Sequence, residues 1–475
     1  MSRLIGNIRY TILEQALLST HVFVTLALIR HLGPEQYGVY NYYLSICGIA
    51  SVLCFGGFSG LYVREVARTP ARDELTSSLL LLNVAGSVLA CAALWIYYLI
   101  YRQSDHLSPL LMAFIMLSTF GCLKNTLRDF FIACQNLRLS ALLTMGMYLF
   151  NTVLKIAAIL TGQPLTVFVF LIAFDAAVSL AIFGTAYGWR HILKFDGTLE
   201  RMKYFFRNGW PLLITGLSVL IFMKIDQVMV FHLRTAREAG SYASMTWLIE
   251  KTFIFIGIVM TAFFSYLSAQ HAGDRPQYLK AVRVGHKLFS LVCIPMVVFL
   301  IPNRAAVMNL LFGQGFSANA DALIFLAAAI PFIYWGALNQ KVLVVTNALK
   351  LDLLYASSSA VLNLGLNYLL IPRYGALGAG VAMLASHTFY FWAQFLVRDY
   401  RSYNFYMLLS LPLPLLASLL GLLLSQLLPG GIIVQALAFL AVYAILIALA
   451  LRAGISDEYA TLSRLFFTKA IRGAA

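Results

Sequence analysis

Long apolar stretches alternate with short polar segments along the whole chain. Each apolar stretch is 20 to 27 residues long, and an α-helix needs about 20 apolar residues to cross the hydrocarbon core of a bilayer. None of them shows the alternation with a period of two that is typical of a membrane-spanning β-strand, so helices are favoured. The pattern predicts fourteen membrane-spanning helices, at residues 10–30, 39–62, 79–101, 107–133, 139–161, 164–188, 209–232, 243–268, 282–302, 321–347, 352–371, 376–397, 405–428 and 431–451.

The composition places the protein in a membrane. Of the 475 residues, 61% are hydrophobic and 11% are charged, whereas an ordinary soluble domain is about half apolar and about a quarter charged. An excess of this size has to face lipid, because a soluble protein that exposed it would aggregate. The segments between the spans are too short for a separate soluble domain. The predicted fold class is therefore all-α, a polytopic membrane protein.

The basic residues predict how the chain is oriented. If the N-terminus is cytoplasmic, 24 of the 34 Lys and Arg residues fall in cytoplasmic segments and six on the opposite side, as the positive-inside rule requires. We therefore expect both termini to be cytoplasmic. The net charge of +15 does not indicate nucleic acid as a partner, because no basic stripe interleaves with exposed aromatic residues.

Two short repeats indicate that the chain consists of two related halves. Residues 37–40 (YGVY) correspond to residues 239–242 (AGSY) at an offset of 202, and residues 133–136 (ACQN) resemble residues 344–347 (VVTN) at an offset of 211. Six spans separate the copies, so the halves have the same orientation in the membrane. The predicted organisation is an N-terminal lobe at 1–188, a basic cytoplasmic linker at 189–208, a C-terminal lobe at 209–397, two further spans at 398–451 and a tail at 452–475. The tail is expected either to lie on the membrane as an amphipathic helix or to be solvated.

Sequence motifs of the common catalytic and nucleotide-binding sites are missing. The sequence contains no Walker loop, no HExxH, no Cys and His spacing typical of zinc and no GxSxG. We therefore expect a transporter rather than an enzyme, with no cofactor and no bound metal. Its energy would come from an H⁺ or Na⁺ gradient, from consumption of the substrate on the far side, or from a partner.

Charged residues inside the spans are the candidate functional residues, because each costs a few kcal/mol to insert. Basic groups lining an aqueous cavity would bind an anionic substrate, and acidic or histidine groups would bind a coupling ion. The alternatives are structural ion pairs, for example between Lys224 or Asp226 and Glu250 or Lys251, and snorkelling to the interface. The candidates for the cationic cavity are Arg30, Arg128, Lys155, Lys224, Lys251 and Lys341, and those for ion coupling are Glu14, His21, Asp175 and Asp226.

Three segments resemble a known family. Residues 32–40 (LGPEQYGVY), preceded by Arg30, are similar to the LG-x-x-x-YG-x-Y signature of Wzx-type polysaccharide flippases. Residues 223–229 (MKIDQVM) are similar to the basic-hydrophobic-Asp-Gln segment of the family's seventh span. Residues 363–382, which include PRYGALGA at 372–379, resemble its segment between spans 11 and 12. The likeness covers residues 5–400, with the three motifs in the expected order.

The resemblance implies both a fold and a function. The family belongs to the multidrug/oligosaccharidyl-lipid/polysaccharide exporter (MOP) superfamily, which implies two six-helix lobes around a central cavity; spans 13 and 14 are additional here. The implied substrate is an undecaprenyl-diphosphate-linked oligosaccharide, moved to the periplasmic leaflet for a surface polysaccharide such as O-antigen. Membrane lipids, a polysaccharide polymerase and a chain-length regulator are the implied partners. The alternatives are an ion-coupled multidrug antiporter, a lipid II flippase or a non-transporting scaffold for polysaccharide assembly.

Overall fold

The computed structural model consists of α-helices joined by short connections. It describes residues 10, 13–15, 17–54, 58–69, 72–101, 108–189, 199–273, 275–396 and 398–453. Residues 190–198 of the predicted basic linker and nearly all of the predicted C-terminal tail lie outside the described residues. No β-strand occurs within the described residues, which confirms the all-α prediction.

Fifteen α-helices are found in the described parts of the chain. They are α1 (His21–Ala50), α2 (Ser59–Arg68), α3 (Arg72–Tyr101), α4 (Pro109–Ser118), α5 (Cys122–Ala133), α6 (Leu137–Leu160), α7 (Leu165–Tyr187), α8 (Leu199–Leu233), α9 (Ala236–Gly273), α10 (Arg275–Phe312), α11 (Ala322–Val345), α12 (Leu349–Ala393), α13 (Arg398–Ser410), α14 (Pro412–Gln426) and α15 (Ile432–Ala453).

Many of these helices are long enough to cross a membrane. Ten helical stretches of the described chain meet the length and hydropathy required of a span. Two of them, Leu13–Arg68 and Lys350–Leu396, contain 56 and 47 residues, more than twice the about 20 that one crossing needs. The prediction of a polytopic membrane protein is thus confirmed, whereas the count of fourteen crossings stays a prediction.

Two long helices are kinked at glycines of the motifs that resemble the flippase family. Gly33, in α1, has φ +68°, and Gly375, in α12, has φ +58°. A side chain disfavours this left-handed backbone region, whereas glycine enters it freely. A Cβ atom at Gly33 would meet nothing within 4 Å, so the backbone angle rather than lack of space favours glycine there. The motifs therefore mark the points where each long helix changes direction.

The second sequence repeat corresponds to a repeated helix cap. Gln135 after α5 and Asn347 after α11 both have φ +57°. The following N–H group donates back five residues in each case, from Asn136 to the Phe131 carbonyl at 2.8 Å and from Ala348 to the Leu343 carbonyl at 2.7 Å, as in a Schellman cap. The equivalent residues are thus 212 positions apart, one more than the sequence comparison gives.

The first sequence repeat brings two helices into backbone contact. A Cβ atom at Gly38 would overlap the carbonyl oxygen of Ala236, and a Cβ atom at Gly240 would overlap that of Pro34. Small residues of this kind allow membrane helices to approach closely. The two glycines that the repeat aligns therefore form a single crossing between α1 and the first turn of α9.

The chain divides into two compact units, residues 1–240 and 241–475. The first contains α1 to α8, and within it α8 packs against α1 and α3. The second contains most of α9 and all of α10 to α15, and α10 and α11 supply many of its fully buried side chains. The lobe boundaries expected from the sequence stay a prediction.

Candidate functional site

A polar cavity of about 230 Å³ lies inside the first unit. It is open on one side and is lined by residues around the start of α1 and by α5, α6 and α7. Four of the ten candidate residues line it, although they are far apart in sequence. Its lining is Leu18, His21, Lys124, Asn125, Arg128, Thr144, Met147, Tyr148, Asn151, Thr152, Lys155, Asp175, Ser179 and Phe183.

Helix α6 contributes one complete face to this cavity. The six lining residues of α6 recur at intervals of three and four, from Thr144 to Lys155, and such positions share one side of an α-helix. The opposite side is apolar and exposed, with Val153 at 63% and Leu149 at 48% of their accessible surface. The apolar side suits lipid and the polar side suits an aqueous cavity. The amphipathic pattern of α6 therefore explains why its polar side faces the cavity.

An ion pair joins the cavity wall to the beginning of the chain. Arg128 Nη2 on α5 lies 3.0 Å from Glu14 Oε1, and the Glu14 side chain is only 6% exposed. Charge compensation of this kind makes a buried carboxylate tolerable. Within the described chain, Arg128 Nε is buried without a hydrogen-bond partner. The guanidinium is therefore anchored by Glu14 at one end and has a donor left at the other.

The charges around the cavity do not balance. Lys124, Arg128 and Lys155 are basic, whereas Asp175 and the paired Glu14 are acidic, so one positive charge remains among the five groups. All five lie within helices of a membrane bundle, where the interaction of charges is strong because the dielectric constant is low. The arrangement favours an anionic ligand over an organic cation.

A hydrogen-bond chain fixes Tyr148 at the rim. Its Oη lies 2.7 Å from Thr20 Oγ1, and Thr20 Oγ1 donates its own hydrogen to the Leu17 carbonyl oxygen at 2.6 Å. Tyr148 must therefore be the donor to Thr20, since a hydroxyl has only one hydrogen. The phenol is held in one orientation, close to the His21 ring, whose centroid is 6.2 Å away.

Three other candidate residues of the first unit lie outside this cavity. Arg30 is exposed on α1, and Lys224 is half-buried on α8. Asp226 is buried on α8, and its Oδ1 accepts a hydrogen bond of 2.8 Å from the backbone N–H of Gln227. Their roles in substrate binding and ion coupling stay predictions.

The two basic candidates of the second unit contact aromatic rings. Lys251 is exposed, and its Nζ lies 5.2 Å from the centroid of the Trp247 ring. Lys341 is half-buried, with its Nζ 5.6 Å from the centroid of the Phe264 ring. Both distances fall within the range of cation–π attraction. These contacts stabilise the lysine side chains, and the predicted role of both residues in a cationic cavity is not tested by them.

Sequence reasoning did not find most of the uncharged lining residues. Thr144, Tyr148, Asn151, Thr152 and Ser179 read as ordinary packing groups in a span, because small polar residues also join membrane helices. The signal that identifies the α6 residues is their helical spacing in line with Lys155. Lys124 and Asn125 belong to a predicted span as well, one turn from Arg128.

Another polar cluster of the first unit was also missed. Tyr42 Oη lies 2.7 Å from Tyr97 Oη and 3.1 Å from His232 Nε2, and Tyr97 also hydrogen-bonds to His232. The Tyr42 ring stacks on Phe231 at a centroid distance of 4.0 Å. The cluster joins the ends of α3 and α8 to the C-terminal half of α1.

No group of three or more His, Cys, Asp or Glu side chains suited to a metal occurs in the described chain.

Comparisons with known proteins agree on a family. The sequence profile of the polysaccharide biosynthesis protein family matches residues 5–271, more than half of the chain. A putative O-antigen transporter of Shigella flexneri is 25% identical over 392 residues, which cover 75% of this chain and 88% of that protein. The capsular polysaccharide biosynthesis protein CapF of Staphylococcus aureus is 22% identical over 394 residues, or 81% of this chain and 96% of that protein.

Solved structures share the fold. The lipid II flippase MurJ, in its inward closed conformation, superimposes with a TM-score of 0.66 and 15% identity, over 95% of this chain and 100% of that structure. An inward-facing multidrug resistance transporter of the MATE family, in the MOP superfamily, gives 0.60 and 15% identity, over 82% of this chain and 93% of that structure. The family match and the shared fold confirm the resemblance. The chain is a member of the polysaccharide biosynthesis protein family, and its fold is that of the lipid II flippase and the MATE transporter of the MOP superfamily.

Proposed function

We propose that the protein is a flippase for undecaprenyl-diphosphate-linked oligosaccharide repeat units. It moves them from the cytoplasmic to the periplasmic leaflet of a bacterial inner membrane, with both termini of the chain in the cytoplasm. The observation that carries the proposal is the charged cavity inside a bundle of membrane-length helices. A glycan cannot cross hydrocarbon unaided, because each polar group without a partner there costs several kcal/mol.

The sign of the cavity charge supports an anionic substrate. Lys124 and Lys155 supply charged donors beyond the paired Arg128, and a diphosphate is bound most strongly by charged donors of this kind. The names of the relatives point the same way, because one is a putative O-antigen transporter and one a capsular polysaccharide biosynthesis protein. The polyprenyl chain of the substrate stays in the lipid while the head group crosses.

An ion gradient drives the proposed cycle of alternating access. Asp175 is the proposed coupling residue, because its carboxylate lines the same cavity as the basic groups. A proton or Na⁺ at this carboxylate would change the net charge that the substrate meets. Glu14 is a weaker candidate, since its carboxylate is already paired with Arg128.

The test is a flipping assay in proteoliposomes. Purified protein is reconstituted with a fluorescent undecaprenyl-diphosphate oligosaccharide in both leaflets, and a membrane-impermeant periodate-type reagent then attacks sugars that reach the outer leaflet. We expect modification beyond the outer half, faster under an H⁺ or Na⁺ gradient and absent from protein-free vesicles. Protection of the inner half by folded protein under every gradient, with two different glycans, would contradict the proposal.

The multidrug antiporter and the scaffold are the remaining alternatives. An antiporter for organic cations needs an excess of acidic groups, and the cavity has the opposite excess. A scaffold needs no charge in the cavity at all, so neutral substitutions there would leave its function intact. A lipid II flippase differs only in the glycan, and the assay distinguishes it when lipid II is used as the second substrate.

A further inference from the structure

The cavity face of α6 is a strip of hydrogen-bonding groups. It runs from Thr144 through Tyr148, Asn151 and Thr152 to Lys155, about 16 Å at the helical rise of 1.5 Å per residue. That length is about half of the roughly 30 Å thickness of the hydrocarbon core. Placing polar side chains along this length inside a membrane protein costs free energy. Binding of a phosphate by Lys155 alone does not account for that cost.

Two residues that line this cavity each have a buried atom without a partner, and the two atoms are of opposite kinds. In the described chain, Asn151 Oδ1 on α6 is a buried acceptor without a donor, and Arg128 Nε on α5 is a buried donor without an acceptor. Leaving such groups unsatisfied costs about 1–3 kcal/mol each. A ligand that satisfies both must offer a donor and an acceptor.

The hydroxyl groups of the strip add acceptors to the same surface. Tyr148 donates to Thr20, so the lone pairs of its Oη remain to accept. Thr144 Oγ1 donates to the Ser140 carbonyl at 2.9 Å, so its oxygen, too, can only accept a further bond. With the Asp175 carboxylate and Asn151 Oδ1, the surface presents several acceptors that require donors from a ligand.

This mixture of groups distinguishes a sugar from a phosphate. A diphosphate diester has only acceptor oxygens and would leave Asn151, Tyr148 and Thr144 without donors. A sugar hydroxyl both donates and accepts, so a ring with several hydroxyls satisfies both kinds of group. The cavity volume of about 230 Å³ is below the about 300–1,000 Å³ of drug-sized pockets. It suits one sugar residue.

We propose that the α6 strip, with Asn151 and Thr152 at its centre, binds one sugar residue of the translocated glycan and helps to select it. The identity of the ligand as a lipid-linked glycan rests on the proposed function, whereas the preference of the strip for hydroxyls over phosphate rests on the groups themselves. The basic side chains of the same cavity remain available to the diphosphate or to an acidic sugar.

The first test measures binding of soluble sugars to the full-length protein in nanodiscs. The probes are methyl glycosides (glucoside, galactoside, N-acetylglucosaminide and glucuronide) and inorganic phosphate, followed by saturation-transfer NMR and titration. We expect at least one glycoside to bind, with an affinity about tenfold lower in Asn151→Leu or Thr152→Val. Binding of phosphate alone, or a glycoside affinity in both variants equal to that of the wild type, would overturn the proposal.

Two control variants, one at the residue that caps α6 and one within α6, separate recognition from folding. Thr161→Val makes the same substitution beyond the cavity, and Val153→Ala alters the exposed apolar side. Both are expected to bind glycosides like the wild type. Thr152→Val keeps the shape of the side chain, so it tests the proposal even if Asn151→Leu does not fold.

A second test uses transport and keeps the two proposals apart. In the flipping assay, Asn151→Leu should raise the KM for the oligosaccharide lipid about tenfold, whereas Val153→Ala on the exposed side of α6 should leave it unchanged. If the wild type flips the lipid and Asn151→Leu has the same KM, the proposal for the α6 strip is overturned and the proposed flippase function is kept. If the protein flips no lipid but its glycoside binding depends on Asn151, the proposed flippase function is overturned and the proposal for the α6 strip is kept.

Discussion

Arg128 and Glu14 show how a single charge pair connects the chain start to the cavity. Glu14 is almost fully buried, whereas the Arg128 side chain is 38% exposed. We expect Glu14→Gln to lower the free energy of unfolding by about 1–3 kcal/mol, since it leaves the guanidinium without its counter-charge. Arg128→Gln in the same protein should restore part of the loss, with a coupling of about 1 kcal/mol in a double-mutant cycle. Thermal unfolding in detergent measures both.

A control for this prediction is the exposed pair of Arg64 and Glu65. Their side chains lie 3.0 Å apart and are 53% and 22% exposed, and pairs of this kind contribute little. Glu65→Gln should leave the melting temperature unchanged. A loss as large as that of Glu14→Gln would show that the cavity pair has no special role in stability.

Asp175 carries a prediction about energy coupling. Asp175→Asn keeps the size of the side chain but cannot take up a proton or release one. We expect the variant to flip substrate at the same slow rate with and without an ion gradient. Flipping rates of the wild type and the variant, measured at several imposed gradients, check this. An intact gradient response in the variant would exclude Asp175 as the coupling group.

Charged residues could be identified from the sequence, whereas the uncharged lining could not. Lys155 and Asp175 stand out, because an ionisable group in an apolar stretch is rare and expensive. Asn151 and Thr152 do not stand out, since amides and hydroxyls in spans usually join helices. Only the structure shows that their face of α6 is turned to a cavity rather than to a neighbouring helix.

At the scale of helices, glycines allow the kink of α1 and its close backbone contact with the first turn of α9. The family-like motif of residues 32–40 contains both sites, a left-handed Gly33 and the close crossing at Gly38. The sequence repeat indicated that Gly38 and Gly240 are related. It could not indicate that they touch each other, because contact depends on how the helices cross.

Alanine substitutions in α1 should therefore have opposite effects at two positions. Gly38→Ala places a methyl group against the Ala236 carbonyl oxygen, and overpacking of this kind costs about 1–3 kcal/mol. Gly48→Ala meets nothing within 4 Å and should raise stability by up to about 1 kcal/mol through helix propensity. Unfolding of both variants in detergent gives the comparison. Similar stability changes of the same sign would contradict the close crossing.

At the scale of the molecule, the apolar pattern was sufficient for the fold class, an all-α polytopic membrane protein. The lobe boundaries stay a prediction; in the structure, α8 packs within the unit of residues 1–240. Hydropathy reports on lipid and not on which helix lies beside which. The cavity is likewise a tertiary product of segments as distant as Leu18 and Phe183.

The central claim is that the positive charge of this cavity carries an anionic, lipid-linked glycan across the membrane. The most direct measurement is the initial flipping rate of undecaprenyl-diphosphate oligosaccharide in proteoliposomes containing equal amounts of folded wild type, Lys155→Ala, Lys155→Arg and Val153→Ala. We predict a rate at least about tenfold lower for Lys155→Ala, since a charge-assisted hydrogen bond contributes about 1.5–3 kcal/mol, and near-normal rates for the other two variants. Equal rates in all four proteins would contradict the account.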